Sequence, residues 1–446
     1  MRNPTPLIAT LLLCALSLFL ISRSEKSKTS AGTDDGNTPA PPDHSSPGPS
    51  PDETSPERPS AATALSLLAE TPDWSTLDIY QYTVSRSDFE RLLTEIFTTD
   101  DTWKSYITLH GDRAEILTSH DPAVPSFTLH FSTPEKQVPA PRHWQSTDSL
   151  PIPPADKPLE NLHIAIDPGH IGGEWAKIEE RWFRIGADKP VMEGEMSLHV
   201  ANLLQPMLEK LGARVSLVRK TTDPVTTLRP ENLASLATAE TAGDDPESLR
   251  KFAEKLFYRT AEIRARAELV NHTLKPDLVL CLHFNAAGWG DPTLPTLVPD
   301  THFHILLNGA YTPDEVNLSD QRFAMLEKLL QRTHEEEALV GNTVANTFAE
   351  ISKLPPYIYP PLGNNVRPVA GNPFLYARNL LANRLYDCPV IYMEPYVMNS
   401  VHDYARIQAG DYEGLREVNG EMLPSIFREY ASALARGLAK HYARSQ

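Results

Sequence analysis

The strongest constraint on the fold is an alternation of apolar strand-like runs and amphipathic helical patterns that begins near residue 159. The strand-like runs are Leu162–Ile166, Val215–Val218, Asp277–His283, Phe303–Leu307 and Pro389–Met393. The helical patterns are Glu195–Leu211, Leu249–Leu269, Val340–Ile351 and Glu421–His441. Strands that are apolar throughout are buried on both faces. The pattern therefore predicts an α/β fold with a mostly parallel twisted sheet, covered by helices on both faces.

The first 62 residues have the composition of an export segment and a spacer. Arg2 precedes an almost wholly apolar run from Leu7 to Ile21, which predicts a signal peptide or a membrane anchor over residues 1–22. No small-residue cleavage site follows, and the run is short for a bilayer span, so both alternatives stay open. Residues 23–62 are rich in Pro, Ser and acidic residues, which predicts a disordered linker.

Two further segments precede the alternating region. Residues 63–136 are expected to form a small α+β module of unknown role, in which Leu77–Thr83 alternates like a strand. Residues 137–158 are Pro-rich and are expected to form a second linker. The catalytic domain is then predicted to occupy residues 159–446.

Charge and cysteine content exclude some classes of protein. The net charge of −17 over 446 residues argues against a nucleic-acid-binding protein, because binding to phosphates needs an excess of Lys and Arg. Three cysteines are too few for a disulfide framework. Cys281 and Cys388 lie in apolar runs and are predicted to be buried thiols.

Four polar residues stand where a strand ends or a helix begins. His170 ends IAIDPGH (164–170), Glu193 opens EGEMSLHVANLL (193–204), His283 lies in DLVLCLHFNA (277–286), and Glu394 lies in PVIYMEPYVMNS (389–400). The carboxyl ends of the strands in an open α/β sheet meet at one edge, so these residues could share a site. Two His and one Glu can hold a catalytic zinc that keeps a position open for water. A second Glu supplies a proton acceptor, so the set predicts a hydrolase.

Residue spacing alone leaves the carboxylate ligand open. Glu195 and His199 form an i, i+4 pair that could itself hold a metal ion. The loop after His170 offers further carboxylates at Glu174, Glu179 and Glu180.

Residues 162–446 resemble the zinc-dependent N-acetylmuramoyl-L-alanine amidases of the amidase-3 type. The matching segments are DPGHIGG (167–173), EGEMSL (193–198), CLHFNA (281–286) and MEPYVMNS (393–400). The run LEKLGARVSLVRKTTD (208–223) looks like the family's helix–Gly–strand–Arg segment, and its register favours Glu193 over Glu195. The chain departs from the family pattern at Ile171, which interrupts the usual His-Gly-Gly, and in the long loop 174–192.

The resemblance implies a chemistry and a set of residue roles. A zinc ion would be held by His170, Glu193 and His283, and Glu394 would be the catalytic base. The scissile bond would be the amide between N-acetylmuramic acid and L-alanine in peptidoglycan. Location would be outside the cytoplasm, in the periplasm or cell envelope. Residues expected to contact substrate are Asn285, Trp175 and Arg266, and those proposed to orient the ligands are Asp167 and Asn285.

Other functions stay open at this point. The chain could be another zinc amide hydrolase or a peptidase of stem peptides, or a catalytically dead cell-wall-binding module. The acidic run Thr333–Glu337 also admits two interpretations. One of its carboxylates could occupy the open zinc position until a regulatory protein removes it, or the run could be a solvated helix face.

Overall fold

The structure is a computed structural model, and it describes residues 65–241, 245–289, 295–360 and 365–443. The predicted signal or anchor (1–22) and the first predicted linker (23–62) lie outside these ranges. Within them, no helix combines the length and the apolar character needed to cross a bilayer.

The described residues form short and long strands that fall into separate sheets. The strands are β1 Ile107–Leu109, β2 Arg113–Ile116, β3 Phe127–His130, β4 His163–Pro168, β5 Trp182–Phe183, β6 Val191–Met192, β7 Arg214–Leu217, β8 Leu278–Leu282, β9 Phe303–Leu307, β10 Arg367–Pro368, β11 Leu375–Ala377, β12 Val390–Pro395, β13 Arg416–Val418 and β14 Glu421–Leu423.

The α-helices differ in length, and the three longest pack against the main sheet. They are α1 Arg86–Leu92, α2 Trp175–Ile178, α3 Glu193–Lys210, α4 Ala234–Thr241, α5 Pro246–Lys255, α6 Glu262–Glu268, α7 Pro313–Asn317, α8 Ser319–Gln331, α9 Thr333–Ser352, α10 Leu381–Leu385, α11 Val401–Ala409 and α12 Ile426–Tyr442.

The central sheet has seven strands in the order β10-β11-β9-β12-β8-β4-β7. Strands β7, β4, β8 and β12 are mutually parallel, whereas β9 and β11 run in the opposite direction. The predicted fold class is confirmed, with a reversed pair of strands beside the parallel ones. Because β9 is antiparallel to β12, the amino end of β9 lies at the same edge as the carboxyl end of β12.

Successive side chains of β8 contribute to two apolar clusters, one on each face of the sheet. Leu278, Leu280 and Leu282 pack into one apolar cluster, which also contains residues of α3, α9 and α12. Val279 and Cys281 pack into a second cluster, which contains residues of α6 and α10. Successive side chains of a strand point to opposite faces, so a run that is apolar throughout fills both layers. The sheet is thus covered by helices on both faces.

Residues 65–136 form a three-stranded antiparallel sheet with α1 packed against it. Phe89 and Phe97 share an apolar cluster with Met325 and Leu329 of α8, so this core is continuous with the helices at 313–331. The predicted strand Leu77–Thr83 is wrong, because a 3₁₀-helix spans Trp74–Tyr80. The amide of Ser75 donates to the Asp73 side chain (3.1 Å) at its start, and such caps favour a helical turn.

The segment predicted as the second linker contains no helix or strand, yet it is packed onto the main unit. Trp144 is buried, and its indole N–H donates to Gln331 Oε1 (3.0 Å). The amide of Gln145 donates to Asp277 Oδ1 (2.9 Å). Residues 137–158 are therefore fixed structure rather than an extended spacer.

Cys281 and Cys388 are buried free thiols, as their apolar surroundings predict.

Candidate metal centre

A tight turn after β4 carries His170 to the edge of the sheet. His170 has a left-handed backbone conformation (φ 59°), and the Gly169 amide donates to the carbonyl oxygen of Leu282 (2.8 Å). A Cβ atom at Gly169 would lie 2.2 Å from Cε1 of His283. A larger residue would fit there only if the His283 ring moved, because its Cβ would overlap that ring.

The start of α3 approaches this turn equally closely. A Cβ atom at Gly194 would lie 1.8 Å from the carbonyl oxygen of Ile171, so glycine permits the contact. The Ser197 hydroxyl donates to the carbonyl oxygen of Gly169 (2.6 Å) and ties the helix to the turn. Glu193, the first residue of α3, is thereby held against His170.

His170, Glu193 and His283 converge on one point. One ligand atom from each lies within 4.8 Å of the others. Glu193 Oε2 is 3.2 Å from Nε2 of His170, and Glu193 Oε1 is 3.2 Å from Nδ1 of His283. The Phe284 amide also donates to Glu193 Oε1 (3.1 Å). The group is enclosed and could hold a metal ion.

Charges in this cluster stabilise one another. Burial alone would lower the pKa of His170, but the carboxylates of Glu193 and Glu179 outweigh burial and raise this pKa to about 9. Burial opposes ionisation of Glu193, yet His170 and His283 hold its pKa well below the ordinary value. Burial lowers the pKa of His283. A carboxylate between two imidazoles is the charge pattern that a divalent cation would satisfy.

Glu179 orients His170, a role that sequence reasoning missed. Its Oε1 lies 2.8 Å from Nδ1 of His170, and its Oε2 accepts the Ile171 amide (2.7 Å). A partner on Nδ1 leaves Nε2 of the imidazole facing the cluster, as in metal sites with carboxylate–histidine pairs. The sequence offered Glu174, Glu179 and Glu180 in this loop with no signal to choose among them.

Arg266, predicted to contact substrate, is buried and bonded to several groups of the protein. Its Nη1 donates to Asp167 Oδ1 (2.9 Å), its Nε to Glu262 Oε1 (2.8 Å), and its Nη2 to the carbonyl oxygen of His170 (2.8 Å). Each guanidinium nitrogen is thus bonded within the protein. Asp167 also accepts the Tyr386 hydroxyl (2.5 Å), so it acts on His170 through Arg266 and not directly.

Glu394 lies on the same face of the sheet edge as His283. Met393 and Leu282 are direct partners in the parallel β12–β8 pair, and both point into the same core. The next residues, Glu394 and His283, therefore share the opposite face. Tyr392 lies on that face too, and its ring stacks on His283 at 4.3 Å between centroids.

Asn285 and Trp175, the other two residues expected to contact substrate, both make contacts within the protein. Asn285 is buried; its Oδ1 accepts the Ala286 amide (2.8 Å), and its carbonyl accepts the Met398 amide (2.8 Å). Trp175 packs on Phe257, with 5.4 Å between ring centroids. Asn285 thus shapes the loop after β8, and Trp175 packs within the domain. Substrate contact stays a prediction for both.

The Glu195–His199 alternative is wrong for the described residues. Glu195 Oε1 accepts the Gly173 amide (3.2 Å), whereas His199 Nε2 lies 3.6 Å from Asp411 Oδ2. The two side chains serve separate contacts, and the structure brings Glu193 to the cluster instead.

Neither interpretation of the acidic run on α9 holds for Glu336 or Glu337. Glu335 pairs with Arg332 (2.5 Å). Glu336 is buried and accepts the Thr147 amide (2.9 Å), and Glu337 is fully buried. Two of the three carboxylates are therefore neither solvated nor free to act as a displaceable ligand.

Glu337 lies at the edge of the sheet opposite the metal cluster. It accepts the amide of Val390 (3.0 Å), which begins β12, and the amide of Asn308 (3.3 Å), which follows β9. Glu394 lies near the other end of β12. The length of the strand separates this glutamate from the predicted zinc position.

Comparisons with known proteins give distant structural likenesses only. No protein-family model and no curated protein matches the chain. Among solved structures, the apo form of the N-acetylmuramyl-L-alanine amidase Ami1 from Mycobacterium abscessus is 16% identical, with a TM-score of 0.35, covering 64% of this chain and 99% of that one. The CwlD amidase from Clostridioides difficile, solved in complex with the GerS lipoprotein, is 13% identical, with a TM-score of 0.35, covering 63% of this chain and 98% of that one. AmiC2 of Nostoc punctiforme, an N-acetylmuramoyl-L-alanine amidase, is 14% identical, with a TM-score of 0.32, covering 64% and 99%. These TM-scores and identities do not decide what this chain does.

Proposed function

We propose that this protein is a zinc-dependent N-acetylmuramoyl-L-alanine amidase that cleaves the amide between N-acetylmuramic acid and L-alanine in peptidoglycan. The observation that carries the proposal is the convergence of His170, Glu193 and His283 within 4.8 Å, with Glu394 on the adjacent strand and the same face. These four residues come from four separate segments, which makes a chance meeting improbable.

The donor set fits zinc. Two imidazoles and one carboxylate match the composition of catalytic zinc sites that keep a position for water. Metal ions that prefer sulfur ligands would need thiolates. The two described cysteines are buried elsewhere in the core, away from this cluster. A zinc ion held by these three residues would lower the pKa of a water molecule and polarise the scissile carbonyl.

The remaining roles fall to the chain's own groups. Glu394 takes a proton from the attacking water and delivers it to the leaving amine. Glu179 keeps the His170 ring oriented through Nδ1, and Arg266 fixes the turn through the His170 carbonyl. Tyr392 holds the His283 ring by stacking. Each of these contacts fixes the position of a ligand before substrate arrives.

The substrate assignment rests on the amidase-3 resemblance of the four segments. Peptidoglycan lies outside the cytoplasm, so we also propose export to the periplasm or cell envelope, with residues 1–22 as a signal peptide or a membrane anchor. A regulatory protein stays part of the proposal, but Glu336 and Glu337 are not the carboxylates that it would displace, because both are bonded within the protein.

Mass spectrometry of reaction products tests the proposal. The zinc-loaded protein is incubated with purified cell-wall sacculi, beside a chelated sample and the Glu394→Gln variant. Release of stem peptides with a free N-terminal L-alanine, absent from both controls, is the expected result.

Two other outcomes would replace the proposal. Products cut within the stem peptide would favour a zinc peptidase. No products, together with retained binding to sacculi, would favour a catalytically dead wall-binding module.

A further inference from the structure

A cluster of histidines and tyrosines adjoins Glu394 and belongs to none of the roles described above. His304 of β9 is the direct partner of Glu394 in the antiparallel β9–β12 pair. Directly paired residues point to the same face, with Cβ atoms about 5 Å apart. His304 therefore lies beside the proposed base, on the side away from His283.

Three tyrosine rings lie next to His304, on the side away from the candidate metal centre. The Tyr359 hydroxyl oxygen forms a hydrogen bond with Nε2 of His304 (3.2 Å). The Tyr359 ring lies 4.6 Å from that of Tyr357 and 4.8 Å from that of Tyr376, between centroids. The Tyr376 hydroxyl donates to the carbonyl oxygen of Tyr357 (2.9 Å), which fixes two of the rings relative to each other. All three tyrosines are half-buried, so each presents part of a ring to solvent.

Backbone pairing places these tyrosines at the catalytic edge. Tyr357 donates its amide to the carbonyl oxygen of Phe303 (3.1 Å), the first residue of β9. Phe303 pairs with Pro395 at the carboxyl end of β12. The rings therefore continue the edge that carries Glu394.

Two buried imidazole nitrogens behind the rings have no partner among the described residues. Nδ1 of His304 and Nε2 of His302 have no hydrogen-bond partner in the part of the chain that the structure describes. His304 is 3% exposed and His302 is 8% exposed. Buried polar atoms are rarely left unsatisfied, so each nitrogen could bond to a ligand or a solvent molecule.

The cluster offers neutral polar groups. Burial lowers the pKa of His302 to about 4. Burial, together with the charge of Arg378, holds the pKa of His304 well below its ordinary value. Both imidazoles are uncharged near neutral pH, so each has one donor and one acceptor nitrogen.

We propose that His302, His304, Tyr357, Tyr359 and Tyr376 form a subsite that binds an uncharged sugar of the glycan strand beside the scissile bond. Sugar rings present C–H groups that pack on aromatic faces, and their hydroxyl and acetamido groups bond to neutral donors and acceptors. A wall of aromatic rings with a few fixed polar groups is typical of such sites. This inference deepens the proposed amidase function, since it names the part of the substrate that the cleft holds.

A binding measurement tests the subsite without catalysis. The probe is the N-acetylglucosamine tetramer, which is uncharged and has no stem peptide, titrated into the full chain by calorimetry. We expect a dissociation constant of about 1 mM or tighter for the parent protein. Tyr359→Ala and Tyr357→Ala should each weaken binding about tenfold, with an unchanged thermal unfolding midpoint as proof of folding.

Tyr82→Ala is the matched control. Tyr82 is a half-buried tyrosine that stacks on His130 at 5.5 Å, on the 65–136 segment. It should bind the tetramer like the parent. Three results would overturn the subsite. They are no binding of the tetramer by the parent, binding by both folded cluster variants as tight as that of the parent, and a loss of affinity in Tyr82→Ala as large as that in the cluster variants. Because the probe lacks the bond that an amidase cleaves, absence of amidase activity would leave this result intact.

Discussion

Two buried glutamates at opposite edges of the same sheet have pKa values that are shifted in opposite directions. Glu193 meets two imidazoles at the carboxyl edge, and they hold its pKa well below the ordinary value against the effect of burial. Glu337 meets the amides of Val390 and Asn308 at the other edge, where burial dominates and raises its pKa to about 7. Burial therefore does not distinguish a candidate ligand from a structural carboxylate, whereas the groups that face it do.

The largest expected effect comes from removing the carboxylate that is proposed to bind zinc. Glu193→Gln should weaken zinc binding at least about 100-fold, because loss of even an outer partner of a metal site costs up to that much. Glu337→Gln should leave zinc binding unchanged, since its contacts lie at the other edge. Equilibrium dialysis with a zinc indicator measures the zinc affinity of both variants. Equal affinities would contradict the assignment of zinc binding to the carboxyl edge.

The base is expected to matter for turnover but not for metal binding. Glu394→Gln should lower kcat about 10²- to 10⁴-fold, the range for loss of a general base. Its zinc content should equal that of the parent, as measured by atomic emission. A full kcat for this variant would remove Glu394 from the mechanism.

Glu179 is expected to act through His170. Glu179→Gln should weaken zinc binding about 10- to 100-fold. Glu174→Gln, an exposed position of the same loop, is the control and should bind zinc like the parent. If both variants keep the parent's affinity, His170 does not need the Glu179 contact.

The smallest effect concerns pH and stability. The folded pKa of Glu337 is raised from 4.5 to about 7, so its contribution to stability is present below pH 4.5 and is lost as pH rises through 7. This difference between the folded and the ordinary pKa corresponds to a contribution of about 3 kcal/mol at most. Urea unfolding of the parent and Glu337→Gln should show a stability difference that changes over this interval.

The control for this measurement is Glu335→Gln, a partly exposed position on the same helix. Its stability difference from the parent should stay constant over the same interval. A constant difference for Glu337→Gln as well would mean that the folded protein does not raise the pKa of this carboxyl group.

Residues at strand ends were predictable from the sequence. His170, His283 and Glu394 follow apolar runs, and the carboxyl ends of parallel strands gather at one edge. Glu193 needed the family register in addition, because Glu195 has the same charge two positions later. The close approaches at Gly169 and Gly194 explain physically why Glu193 is the one held at the turn.

Residues that act through long-range packing were not predictable. Glu179 and its loop neighbours look alike in the sequence, and only the folded loop brings one of them to His170. Glu336 and Glu337 resemble a solvated helix face, yet Thr147 and Val390 give them buried partners from distant segments. Arg266 has the charge of a substrate-binding residue, but four internal acceptors hold it behind the turn.

Anomalous diffraction at the zinc edge, from crystals of the zinc-loaded protein, tests the central claim most directly. The expected result is one zinc ion bound by His170, Glu193 and His283 at about 2.0–2.2 Å, with a fourth position facing Glu394. A zinc ion bound elsewhere on the chain, or none at this cluster, would contradict the assignment of the carboxyl edge as a catalytic metal centre.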